Sequence, residues 1–369
     1  MKDFVVKNLV SQELEKELEK IGFDIAYRKK ASDKFQYKTL KIFNLTIPQA
    51  NIIKQTALSF GADCGVHREV LTNKIDVTDA ILGGSFSQLK KICEKLKQQP
   101  FSLATLASKI EEQLIKNERK TKLVGILNLT PNSFSNDGIL NNIEAVKKIY
   151  QLIEEGADMI DIGAESTKPY STPVSDEEQI QRLNLVVNEF KNLPVPISID
   201  TKSSEVAKFA LENGAKIIND VSGLDNDLKM VDVISKYDAE IIIQHSTGNS
   251  ENIIEYNDIV EDVYKSLYSK VEFAKSKGVK NIILDVGIGF GKTRDDNFEL
   301  LNRIEEFYSL GLPLMVGTSR KSLLNVVDND IALKDSLTLA INYPLILKGV
   351  DYLRVHNVKI HKQLLNLVG

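Results

Sequence analysis

Ile197-Ser-Ile-Asp200, Ile217-Ile-Asn219-Asp220 and Ile282-Ile-Leu-Asp285 are short apolar runs, each ending in a carboxylate or an amide. Five more runs share the form: Leu123-Val-Gly-Ile-Leu-Asn128, Met159-Ile-Asp-Ile-Gly163, Ile241-Ile-Ile-Gln244-His245, Leu314-Met-Val-Gly-Thr-Ser319 and Leu353-Arg354-Val-His356. Their Ile, Val and Leu content is that of strands buried on both faces. Amphipathic stretches lie between them. Val146, Ile149, Tyr150 and Ile153 form one stripe that stops at Gly156, and the stretch 206–212 stops at Gly214. One turn recurs before four strands, as Glu155-Gly-Ala-Asp158, Asn213-Gly-Ala-Lys216, Lys277-Gly-Val-Lys280 and Lys348-Gly-Val-Asp351, with glycine supplying a left-handed helix cap. Eight strand–helix repeats in about 250 residues predict an α/β fold, a (β/α)8 TIM barrel over 119–369. A doubly wound open sheet fits less well, because polar residues recur at every strand end rather than at one switch point.

Residues 1–118 read as a separate, small N-terminal α/β domain of unassigned role. Strands are expected at 41–46, 62–66 and 79–82. Helices are expected at 11–21, at 48–60 with Pro48 at the start and Gly61 at the end, and at 85–97 with Leu89, Ile92, Cys93 and Leu96 on one face. The charged stretch 110–122 lacks Pro and Gly and reads as a connecting helix with a short linker.

Bulk composition narrows the class. Hydrophobic residues at 43% and charged residues at 27% are those of an ordinary soluble protein. A net charge of −4 gives no footing for general nucleic-acid or membrane-surface binding. The start has no long apolar stretch and no run is long enough to cross a bilayer, so a cytoplasmic protein is expected. Cys64 and Cys93 sit in no CxxC or Cys/His pattern, which argues for reduced core thiols rather than zinc or a disulfide.

The chemistry-bearing residues lie where a barrel keeps its active site, at the strand exits. Asp200, Asn219 and Asp285 end three strands and together suit a heterocycle with alternating donors and acceptors, since a carboxylate pairs in two parallel bonds with an N–C–N edge. Gly287-Ile-Gly-Phe-Gly-Lys292-Thr293 looks like a phosphate loop but has three residues, not four, before its Gly-Lys pair. Nucleotide hydrolysis is therefore rejected in favour of a flexible glycine-rich turn. Thr318-Ser319-Arg320-Lys321 and Arg354-Val-His356 follow the seventh and eighth strands, the usual phosphate site of this architecture. The hydroxyl-rich stretches 128–138 and 164–173 read as lids. His245 reads as structural at least as readily as catalytic, and His361 as inert on a C-terminal helix.

Taken in order, several motifs carry a resemblance. They are Gly125-Ile-Leu-Asn-Leu-Thr-Pro-Asn-Ser-Phe-Ser135, Asp161-Ile-Gly-Ala-Glu-Ser-Thr-Lys-Pro169, Ser198-Ile-Asp-Thr201, Ile218-Asn-Asp-Val-Ser-Gly223, Leu284-Asp-Val-Gly-Ile-Gly-Phe-Gly-Lys-Thr293, Gly317-Thr-Ser-Arg-Lys-Ser322 and Leu353-Arg-Val-His356. With them, residues 121–369 resemble the dihydropteroate synthase family, the sulfonamide target of folate biosynthesis. Residues 62–102 are also similar to an N-terminal extension found in some members. The resemblance implies a transferase that joins 6-hydroxymethyl-7,8-dihydropterin pyrophosphate to p-aminobenzoate and releases pyrophosphate. It implies a pterin site of Asp200, Asn219, Asp285 and Lys321, with Gln244 on one wall, and gives Lys321, Asp200 and Asp285 the catalytic roles. It further implies Asn128 as a ligand of Mg²⁺ and Thr167, Arg354 and His356 on the pyrophosphate. The p-aminobenzoate pocket would comprise Phe134, Thr167, Lys168, Pro169 and Ser319. A homodimer with small-molecule substrates is expected on the same ground.

Four positions depart from the family pattern. Asn132 replaces an acid, with Asp137 nearby; Lys168 replaces an arginine and lacks its bidentate fork; Gln244 replaces a methionine; and Asn357 replaces an aspartate. Two competing readings follow. One is a methyltetrahydrofolate methyltransferase, which would not need the Ser-Arg-Lys and Arg-Val-His elements together. The other is a catalytically weak, pterin-binding paralogue acting through a partner.

Overall fold

The computed structural model describes residues 6–9, 14–72, 74–115, 119–129, 142–165, 174–247, 253–324 and 330–368. The chain divides into two compact units, Met1–Asn117 and Glu118–Gly369.

In the first unit, α1 (Leu14–Lys20) and α2 (Arg28–Phe35) precede β1 (Tyr37–Thr46), α3 (Ile47–Ser59), β2 (Asp63–Val66), β3 (Val77–Ser85), α4 (Phe86–Leu96) and α5 (Leu103–Glu112). The three strands form an antiparallel sheet in the order β1-β3-β2. A capping box launches both long helices. Gln49 Oε1 accepts from the Thr46 N–H at 2.8 Å and Gln88 Oε1 accepts from the Ser85 N–H at 2.8 Å, which satisfies donors the helix leaves orphaned. Leu89, Ile92, Cys93 and Leu96 are buried, as their spacing predicts. Both thiols are free and burial pushes each up to about 11, so neither is a ready nucleophile. The connecting helix differs from expectation. It spans Leu103–Glu112 and not 110–122, because Leu103, Ala107 and Ile110 form the buried stripe and Lys122 already opens a strand.

The second unit closes into a barrel. Its strands are β4 (Lys122–Asn128), β5 (Met159–Gly163), β6 (Ile197–Asp200), β7 (Ile217–Asp220), β8 (Glu240–Gln244), β9 (Asn281–Asp285), β10 (Leu314–Val316) and β11 (Tyr352–Val355). Each pairs in parallel with its neighbour, and β11 pairs with β4 to complete the ring. The eight helices that follow the strands are α6 (Asn142–Glu154), α7 (Asp176–Leu183), α8 (Ser204–Glu212), α9 (Met230–Tyr237), α10 (Ile259–Ser276), α11 (Arg294–Asn302), α12 (Ile331–Leu347) and α13 (Val358–Val368). This is the expected (β/α)8 TIM barrel. Thr121 Oγ1 donates to the Val350 carbonyl at 2.7 Å across the seam, joining residues 229 positions apart.

The four repeated Gly turns are Schellman caps. Gly156, Gly214, Gly278 and Gly349 have φ of 101°, 114°, 89° and 77°, and the next residue's N–H returns to the helix, as from Ala157 to Leu152 and from Val350 to Leu345. The stripe on α6 is narrower than read: Ile149 is buried with Ala145 and Leu152, whereas Tyr150 is exposed and donates to Glu189 at 2.7 Å. Val124, Met159, Ile217, Ile242, Ile283 and Met315 fill the barrel interior. This apolar plug is what lets polar side chains gather at the strand exits without opening a channel. No helix among the described residues is long and apolar enough to cross a membrane.

Candidate active site

Strand register sets the height of each group. Gly163 lies opposite Asp200 and Asp200 opposite Asn219, while Gln244 lies opposite Asp285. Asp200, Asn219 and Asp285 therefore occupy one rim, and all three are buried. One turn of the strand lower, Asp161 of β5 is fully buried.

These residues hold one another in place. Arg354 of β11 donates from Nε to Asp161 Oδ2 at 2.6 Å and from Nη2 to Asp200 Oδ2 at 2.8 Å. Asp161 Oδ2 also accepts from Asn219 Nδ2 at 3.0 Å. This leaves Asn219 Oδ1 and Asp161 Oδ1 buried without a partner. An orphaned buried acceptor costs free energy unless a ligand satisfies it. Asn219 Oδ1, on the rim, is thus an acceptor in want of an N–H donor. Asp285 accepts from the Gly287 N–H at 2.7 Å through Oδ1. Burial raises the Asp285 pKa, and the Lys321 charge pulls the other way. Burial also raises Asp200, to about 7, against the pull of Arg354 and with the push of Asp161.

Lys321 stands over this rim from the loop after β10. Its Nζ donates to the Ile288 carbonyl at 2.6 Å and lies 4.6 Å from the centre of the Phe290 ring, a cation–π distance. Burial lowers its pKa to about 8, and Asp285 opposes the drop. Beside it, Ser319 Oγ lies 2.9 Å from His356 Nδ1 and accepts from the His356 N–H at 3.2 Å. Arg320 points away from the rim. It adopts φ 57° and grips Asp335 of α12 bidentately at 2.7 and 2.8 Å, while Asn357 Nδ2 donates to the same carboxylate at 3.0 Å. The amide at 357 thus acts as a donor toward a carboxylate supplied by Asp335.

The structure links Asp200, Asn219 and Arg354 through Asp161 and these hydrogen bonds, and places Asp285 and Lys321 within electrostatic reach of them, with Ser319 and His356 adjacent on the β10 and β11 exits. Asn128 ends β4, half-buried, and a Cβ built on Gly163 would meet its Oδ1 at 3.3 Å. Gln244 is buried with its amide donating to the Val221 carbonyl at 3.0 Å. Phe134, Thr167, Lys168 and Pro169, with Asn132 and Asp137, lie outside the described residues. His245 is buried, its Nδ1 has no partner, and burial pushes its pKa down to about 3, so the ring is neutral. His361 is buried between Asn342 and the Asn357 carbonyl.

Two residues carry no role in the sequence reading. Asp161 joins Arg354 to Asn219, and the signal for it was an acid flanked by isoleucines in an otherwise apolar strand. Lys292, in the turn read as flexible, is buried and donates to three main-chain carbonyls, so the turn is strapped.

Comparison with known proteins converges on one family. The family model for pterin binding enzymes matches residues 124–356. A probable bifunctional folylpolyglutamate synthase/dihydropteroate synthase of Haloferax volcanii is 34% identical over 341 residues, covering 84% of this chain. The chain spans about 40% of that relative's length. A bifunctional dihydropteroate synthase/dihydropteroate reductase of Helicobacter pylori is 30% identical over 373 residues, covering 98% of both chains. Among solved structures, a dihydropteroate synthase of Clostridium difficile, determined in the presence of pteroic acid, is 38% identical at TM-score 0.64, covering 68% of this chain and 97% of that one. The motif order, the closed barrel and the rim at its strand exits agree with these matches: the chain belongs to the pterin-binding enzymes, within the dihydropteroate synthase family.

Proposed function

We propose that the chain condenses 6-hydroxymethyl-7,8-dihydropterin pyrophosphate with p-aminobenzoate to give 7,8-dihydropteroate and pyrophosphate. The observation that carries this reading is the rim itself. Two buried carboxylates, Asp200 and Asp285, flank the unpartnered Asn219 Oδ1, and Lys321 and Arg354 stand beside them. The carboxylates accept from the amino-pyrimidine edge of the pterin, Asn219 Oδ1 accepts a further N–H, and Lys321 donates to a ring acceptor. Arg354 and His356 receive the pyrophosphate oxygens. The amine nitrogen of p-aminobenzoate then attacks the methylene carbon. The C–N bond forms as the C–O bond breaks, pyrophosphate leaves with the electron pair, and the nitrogen loses a proton. An aromatic amine needs no activated serine or cysteine, so the work of the protein is orientation and charge neutralisation.

Mg²⁺ belongs to this reading. Among the described residues no three acidic, His or Cys side chains gather to hold a metal. Asn128 offers one amide oxygen at the mouth, and this fits an ion that keeps most of its water and is bound largely through substrate phosphates. Bound there by Asn128, it would supply charge neutralisation of the pyrophosphate.

Ser319, with Phe134, Thr167, Lys168 and Pro169, is assigned to p-aminobenzoate on the family pattern, and Thr167 also to the pyrophosphate. A homodimer in the cytoplasm completes the proposal. A second reading adds reduction of the product. It is favoured by the full-length match to the Helicobacter relative, which takes in the first unit as well as the barrel.

The test is purified protein with both substrates and Mg²⁺, with dihydropteroate followed by chromatography. Product that stops on adding EDTA is the expected result. Binding of the pterin pyrophosphate without product would instead favour the paralogue reading. Addition of reduced nicotinamide nucleotide scores the reductase reading, through loss of dihydropteroate.

A further inference from the structure

The Gly287–Thr293 turn is the motif that neither a phosphate site nor the proposed chemistry absorbs. Its lysine does not face the mouth. Lys292 is 6% exposed, and its Nζ donates to Gly287 O at 2.9 Å, Phe290 O at 3.0 Å and His245 O at 3.4 Å. Two of these acceptors are in its own turn and the third is in the loop after β8. One ammonium therefore ties the exits of two neighbouring strands together. The backbone leaves no room for another arrangement: Gly287 has φ 68°, and a Cβ there would lie 1.8 Å from the His245 carbonyl oxygen. From the other side, Asn297 of α11 accepts from the Gly289 N–H at 2.7 Å and donates to Thr293 O at 2.6 Å. Burial lowers the Lys292 pKa to about 7, with Asp285 opposing the drop, so placing an amine here carries a desolvation cost that filling space alone would not require.

What the strapped turn presents is a seat for Lys321. Ile288 O, between the two tied carbonyls, accepts from Lys321 Nζ at 2.6 Å, and the Phe290 ring lies under the same nitrogen. Gly289 faces the Lys321 stem, where a Cβ would come within 3.1 Å of Cδ.

We propose that Lys292 is a positioning residue that fixes the place of Lys321 by strapping the 287–292 turn, and so sets the affinity for the pterin substrate without touching it. This rests on the assignment of Lys321 to the pterin.

A double-mutant cycle tests it, with calorimetric Kd for the pterin pyrophosphate measured on the full chain, on Lys292→Met, on Lys321→Met and on the double variant. Lys292→Met alone is expected to weaken binding about tenfold, the scale on which outer partners tune a binding side chain. In the Lys321→Met background it is expected to change Kd less than about twofold, because a residue that acts only through another is not additive with it. At saturating pterin substrate, KM for p-aminobenzoate is expected to hold within about twofold, a selectivity that general loosening would not give. If Lys292→Met does not fold, as judged by circular dichroism, Lys292→Gln keeps a two-proton donor and is read in the same cycle. Equal losses in both backgrounds, or none in the first, overturn the proposal and leave the pterin site standing. An unchanged Kd in Lys321→Met removes the assignment of Lys321 and the proposal with it.

Discussion

Asp200 and Lys321 share one opening with proton affinities displaced toward each other, about 7 for the buried carboxylate and about 8 for the buried ammonium. The proposed recognition needs the first ionised and the second protonated. Below about 7 the carboxylate takes up a proton and ceases to accept; above about 8 the ammonium loses the charge it offers. Pterin affinity is therefore expected to peak between the two and fall on both sides. Calorimetric titration across that range checks it, with Asp200→Asn expected to erase the acid limb, and a flat profile would remove both assignments. Arg354 is the second residue to test. Its guanidinium donates to the Asp200 carboxylate, and Asp161 shares it. Arg354→Ala removes the cation shared by two buried carboxylates and is expected to lower unfolding free energy by about 3 kcal/mol in urea titration, besides weakening pyrophosphate binding. At this scale the sequence showed which residues end strands, since apolar runs stop at them. It did not show that Arg354 would lie between Asp161 and Asp200, because β11 comes beside β4, and its arginine within reach of β5 and β6, only after closure.

At the scale of elements, glycine separates two kinds of constraint. Gly311 caps a helical turn at φ 72° with nothing within 4 Å of a built Cβ, whereas Gly287 combines φ 68° with a main-chain oxygen at 1.8 Å. Gly311→Ala is expected to cost about 1 kcal/mol, the penalty of a left-handed backbone alone. Gly287→Ala must move the strand exits and is expected to cost several times that, with pterin binding lost. Thermal melts and titration of the two variants side by side make the comparison. Helices such as α4 were legible because four apolar residues fall on one face. The stretch 110–122 was misplaced because charge density was read as helix while the real signal, the Leu103, Ala107 and Ile110 spacing, lay further back. The glycine-rich turn was read as flexible because its glycines are visible in the sequence and the carbonyls they expose to Lys292 are not.

Among the described residues the first unit has a core around Leu82, Leu89 and Ile92, and the second has one between strands and helices and another inside the barrel. Each unit encloses its own apolar residues, which is the condition for folding alone. The Clostridium difficile structure matches over 97% of its length while covering 68% of this chain. Residues 118–369 made separately are thus expected to fold and to bind the pterin substrate within about threefold of the full chain, checked by calorimetry and circular dichroism. Barrel and small domain were both visible in the sequence, because the strand runs begin near residue 121 and the recurring glycine turns follow from residue 155. The role of the first unit was not, since its polar residues serve caps and surface rather than a shared opening. The pairing of β11 with β4 has one more consequence, for synthesis. The first barrel strand leaves the ribosome with an open edge and waits until the last is made, more than two hundred residues later. Through that interval its unpaired amides are free to recruit a strand from another chain. Crowded expression is where this protein is most exposed to aggregation, and slower initiation or a chaperone that covers β4 is the remedy the topology calls for.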